Sequence, residues 1–121
     1  MSRNQLDEST KLFRRGLAKA PEDARLLGGL AMVLTRRGEL DEAITTCGKA
    51  VVLAPESADL QTICGAALFE KGDVEQAVRY YREALRLVPN HPEARRRLDQ
   101  ALEKLDRDAK TSAPAEPSGD P

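Results

Sequence analysis

Apolar side chains along residues 24–53 fall into two runs of helical spacing. Leu27, Leu30, Ala31 and Leu34 form the first, at intervals of three and four residues, and Gly38 follows it. A glycine in that place predicts a helix end, because it enters the left-handed backbone without steric cost. The second run is Leu40, Ala43, Ile44, Cys47, Ala50 and Val51, closed by Pro55. Its opening is acidic, with Glu39, Asp41 and Glu42 placed to favour the positive end of a helix dipole. Pro55 predicts a stop, since the residue before a proline is pushed out of the helical region. The plan then repeats. Leu60, Cys64, Gly65 and Leu68 precede Gly72, and Val74, Ala77, Val78, Tyr81, Ala84 and Leu85 precede Pro89.

A shift of 34 residues superimposes the two units without a gap: Ala24 on Ala58, Leu34 on Leu68, Gly38 on Gly72, Ala43 on Ala77, Ala50 on Ala84 and Pro55 on Pro89. The alanines keep neighbouring helix backbones close, and larger residues there would overpack the contact. The same shift applied backwards from Cys47, Ala50 and Pro55 lands on Phe13, Gly16 and Pro21. Residues 5–19 therefore read as the second helix of a half repeat spanning 1–23. Forwards, Leu98 and Leu102 take the places of Cys64 and Leu68, so a single helix is expected over 92–108. Its charge, including Arg95, Arg96, Arg97, Asp99 and Glu103, suits a cap at the end of a stack. Residues 109–121 turn to Ala, Pro, Ser, Gly and acid and read as a disordered tail.

Two units of this length and residue order, 24–57 and 58–91, resemble the tetratricopeptide repeat family. The positions that carry the resemblance are Leu27, Leu30, Ala31, Leu34, Ala43, Cys47, Ala50 and Pro55, then Gln61, Cys64, Gly65, Leu68, Ala77, Tyr81, Ala84 and Pro89. Leu27 and Gln61 stand where the family usually has Trp, and Cys47 stands where it has an aromatic residue. The resemblance implies an all-α fold of about six helices, in which antiparallel helix-turn-helix units stack into a right-handed superhelix. It also implies a protein-interaction adaptor or scaffold whose first helices line a concave groove holding a partner peptide or helix. In this chain the groove residues would be Arg25, Gly28, Gly29, Met32 and Arg36, then Thr62, Ile63, Ala66 and Phe69, with Arg96 and Arg97 from the cap. Thr35, Asp59, Glu70, Gln100 and Lys104 fall on the same face. An apolar strip with arginines at both ends suits a segment with apolar anchors and acidic flanks. Some family members clamp the terminal carboxylate of heat-shock chaperones through Lys and Asn. The matching positions here hold Gly28, Met32 and Ile63, and only Arg97 fits, so no such clamp is expected.

Composition narrows the picture further. Among 121 residues there is no Trp, with two Phe and two Tyr, so a core must be built from aliphatic side chains and alanine. Nineteen basic residues nearly balance twenty acidic ones, which gives no electrostatic case for nucleic acid. No apolar run approaches a membrane span. With no secretory leader in the opening residues, a cytoplasmic location is expected. Cys47 and Cys64 occupy adjacent packing positions on successive helices and read as two small buried thiols, with their pairing left open. Gly28-Gly29 inside a helix reads as tolerated sequence drift or tight packing between neighbouring helices, with close approach of a ligand backbone or of the first helix as the rival reading. His91 sits in a turn with no motif around it. No phosphate loop, nucleophile elbow or metal-binding helix motif occurs, so neither an enzyme nor a cofactor or metal site is expected. Two alternatives stay open: self-assembly through the apolar face of residues 5–19 (Leu6, Leu12, Phe13 and Leu17), and a fragment of a larger protein.

Overall fold

A computed structural model describes residues 2–112. It contains six helices: α1 Arg3–Lys19, α2 Ala24–Arg37, α3 Leu40–Leu53, α4 Ala58–Lys71, α5 Val74–Leu87 and α6 Pro92–Ser112. No strand occurs among the described residues. Each helix packs on the next in the chain, and α4 additionally touches α2 and α6. The helices α2, α4 and α6 thus form a contiguous layer, with α3 and α5 behind it. The helix α6 continues four residues past the end expected at 108, so residues 109–112 are helical where a disordered tail was expected. The rest of that tail lies outside the described residues.

The helix ends follow from local chemistry. The Asp23 carboxylate accepts from the N–H groups of Arg25 and Leu26 at 3.0 and 3.1 Å, capping α2. Ser57 caps α4 by accepting from the Leu60 N–H at 3.2 Å. Gly38 and Gly72 take φ of 82° and 100°, the left-handed conformation that ends α2 and α4. The acidic first turns of α3 and α5 work without a side-chain cap.

One packing position recurs at each junction between units. Phe13 packs against the cluster of Leu30, and Tyr81 shares a cluster with Leu98. Between these two junctions the same pair of positions is held by Cys47 and Cys64. Both are almost fully buried, as expected, but they are not free thiols. They form a disulfide across α3 and α4, with Cα atoms 5.5 Å apart. Two residues too small to fill the space of an aromatic and a leucine are joined covalently instead. The departure at Gln61 is also absorbed. Its buried amide donates to the Pro55 carbonyl at 3.1 Å, so no polar group is left stranded in the place of an indole.

Residues 5–19 bury more of their apolar face than their position suggests. Leu6 is buried and Phe13 and Leu17 pack against the core, while Leu12 remains 59% exposed. The face expected to be open for self-assembly is mostly spent on α2.

Candidate functional site

A concavity of about 490 Å³ lies across α2, α4 and α6. Its lining comprises Met32, Thr35 and Arg36 from α2, Asp59, Thr62, Ile63, Ala66 and Glu70 from α4, and His91, Glu93 and Arg97 at the start of α6. The spacing along α4 explains why that helix supplies the floor. Residues 59, 62, 63, 66 and 70 are three or four apart and share one face. Met32 is 45% exposed on this surface. Thr62 is buried and its hydroxyl donates to the Ala58 carbonyl at 2.8 Å, so it presents mainly its methyl group.

Six of the eleven groove residues expected from sequence meet here: Met32, Arg36, Thr62, Ile63, Ala66 and Arg97. The other five lie elsewhere. Gly28 is buried against Leu60 and Ile63, and a Cβ there would collide with Leu60. Gly29 faces the Phe13 ring of α1, so the glycine pair serves helix packing. Phe69 packs into the cluster of Leu68, Val74 and Tyr81. Arg25 is exposed at the start of α2, outside the cavity lining. Arg96 borders a separate hollow with Asp99, Gln100, Leu102 and Glu103.

Two lining residues were not legible in the sequence. His91 precedes Pro92, and its Nδ1 accepts from the Ala94 N–H at 3.1 Å, capping α6. With Nδ1 an acceptor, the ring is the neutral Nε2–H tautomer, and that N–H donates to Asp59 at 2.7 Å. His91 therefore ties the start of α6 to α4 and closes one end of the hollow. Glu93 accepts from Arg96 at 2.7 Å and from Arg97 at 2.5 Å. These two hydrogen bonds, Arg96 first and then Arg97, hold its carboxyl below the usual range. The only sequence signal for either contact was spacing: Glu93 stands three and four residues before its arginines.

Tyr81 lies under this end of the site. Burial pushes its phenol up to about 12, the nearby Arg97 guanidinium acting in the opposite direction. The electrostatic outcome differs from the expected apolar strip with arginines at both ends. Arg97 and Arg96 are committed to Glu93, and Asp59, Glu70 and Glu93 all face the hollow.

Residues 22–90, more than half of the chain, match the sequence model of the tetratricopeptide repeat. The chain belongs to the tetratricopeptide repeat family. No curated protein sequence matches it. Among solved structures, the first such domain of human RPAP3 is 26% identical, with a TM-score of 0.82, over 90% of this chain and 85% of that one. The first such domain of Spaghetti (RPAP3), bound to the HSP90 peptide SRMEEVD, is also 26% identical, with a TM-score of 0.79, over 85% of this chain and 82% of that one. A mutant of Thermobaculum terrenum O-GlcNAc transferase is 29% identical, with a TM-score of 0.78, over 80% of this chain and 19% of that one. The same repeat fold thus stands alone as a domain and also forms part of an enzyme. No helix among the described residues is long and apolar enough to cross a membrane.

Proposed function

We propose that this chain is a protein-interaction module that receives a segment of a partner protein in the hollow between α2, α4 and α6. The observation that carries the reading is the apolar floor of exposed Met32 and half-buried Ile63 and Ala66 set inside a charged rim, in a cavity of about 490 Å³. That volume suits one or two anchoring side chains of a peptide or helix. Membership of a family whose solved relatives hold peptides supports it, as does the Spaghetti domain with its bound SRMEEVD. Within this reading the repeat units are 24–57 and 58–91, with the half repeat 1–23 and the α6 cap at either side, and the module acts as an adaptor with no catalytic step.

The proposal does not extend to that acidic peptide. Gly28 is buried beneath Leu60, and Met32 and Ile63 carry no hydrogen-bond donor. Arg97, the one donor at a matching position, is held by Glu93. A cytoplasmic setting belongs to the same proposal. There the thiol pool would compete with the Cys47–Cys64 bond, so thiol trapping in fresh extracts tests the compartment directly.

The test of the groove is blockage. Partners recovered from cells with the wild-type chain are titrated against wild type and Ala66→Trp, which places an indole over the floor. Loss of binding with unchanged helicity supports the reading, and equal affinity refutes it. The alternative of self-assembly through residues 5–19 finds no support in the packing of α1, where only Leu12 of the four expected residues is exposed.

A further inference from the structure

We propose that the segment received in this hollow is basic as well as apolar, with Lys or Arg flanking the side chains that seat on Met32, Ile63 and Ala66. This rests on the groove reading above and adds to it the charge of the occupant.

Three observations carry it. Asp59, Glu70 and Glu93 line the hollow with Arg36 and Arg97, and because Arg96 and Arg97 both bond Glu93, the carboxylates left to face an occupant without a guanidinium partner are Asp59 and Glu70. The cation nearest the α6 end is already used: Arg97 donates to Glu93 at 2.5 Å, and Arg96, outside the hollow, donates to the same carboxylate at 2.7 Å. Arg97 already donates its Nε–H to Glu93, so the charge it offers an arriving anion is largely offset there. The two remaining carboxylates are uncommitted to any cation. Glu70 is exposed and forms no ion pair among the described residues. The Asp59 side chain is 84% exposed, and its one partner is the neutral imidazole of His91, bonded through a single oxygen. Arg36 offsets only one of them.

The positions of these carboxylates also set a ruler. Asp59 and Glu70 stand eleven residues apart on α4, or ~16 Å along its axis. An extended segment covers that distance in about five residues. The expected occupant is thus a short stretch with basic residues at each end and apolar residues between, such as a segment beginning and ending in Lys around Leu or Ile anchors.

Three short fluorescent peptides with identical Leu anchors and Lys, Gln or Glu flanks test this by anisotropy against the full chain at low and high salt. The Lys-flanked peptide should bind about fivefold more tightly than the Glu-flanked one at low salt, the scale of a few exposed charge contacts. The preference should shrink as salt screens it and in Glu70→Lys. Ala66→Trp should abolish binding of all three, and Met32→Glu, at an exposed position, provides a second block with little risk to folding. If the Glu-flanked peptide binds as well or better while the blocks still abolish binding, the charge assignment is overturned and the groove stands. If binding survives both blocks, or no peptide binds, the groove reading falls and the charge assignment falls with it.

Discussion

Reduction of the Cys47–Cys64 bond should weaken the fold by an amount that the chain itself sets. The bond joins residues 17 apart and links α3 to α4 across the junction between the two repeats. In the chain-entropy account, releasing a loop of that size returns about 3 kcal/mol of freedom to the unfolded state. Both cysteines are buried in one cluster with Ala31, so reduction is expected to cost the native side little packing. For a domain of this length the loss corresponds to a fall in melting temperature of roughly 10–15 °C. Far-ultraviolet circular dichroism melts with and without a phosphine reductant measure it directly. A Cys47→Ala, Cys64→Ala chain is the control: it should melt at or below the reduced wild type and ignore the reductant. A wild-type melt that does not move with reductant, together with two titratable thiols in the unreduced, denatured chain, would refute the reasoning.

Other outcomes follow from single contacts. Gly65→Ala should destabilise by about 2–3 kcal/mol, because the new Cβ meets the ring of the fully buried Tyr81, while Gly48→Ala should stabilise by about 0.5–1 kcal/mol, since nothing lies within 4 Å of its Cβ; urea denaturation reads both signs. Phe69→Ala should cost about 2 kcal/mol through the α4–α5 core yet change groove affinity by less than about twofold, which calorimetric titration with a bound peptide would show. The folded protein keeps the Tyr81 proton to about pH 12, whereas an unfolded chain releases it near 10. The folded state therefore binds more protons between those values, and stability falls as pH rises through them, by up to roughly 2–3 kcal/mol. Alkaline melts of Tyr81→Phe should lack that fall.

Much of the architecture was legible because it depends on neighbours in the chain. Gly38 and Gly72 ended their helices where a left-handed residue was required. Asp23 and Ser57 capped the helices that follow them. All of the hollow's lining except His91 and Glu93 was legible for a related reason: residues 59, 62, 63, 66 and 70 share a face of α4 whatever packs beside it. Phe69 and Gly29 were misplaced because a helical face is broad, and which edge of it meets solvent depends on the neighbouring helix. For Phe69 that neighbour is α5, and for Gly29 it is the Phe13 ring of α1.

The period, the helices and their ends are properties of local spacing, and one chain read alone suffices for them. Contacts between distant residues are not. That two cysteines at equivalent junction positions are bonded, that Glu93 holds both Arg96 and Arg97, and that His91 reaches from a turn to Asp59 all depend on how α3, α4 and α6 lie against each other. Charge counts along a sequence treat every arginine as available. Only packing decides which are neutralised at hydrogen-bond distance, and here it tied both cap arginines to Glu93 where an open basic rim was expected.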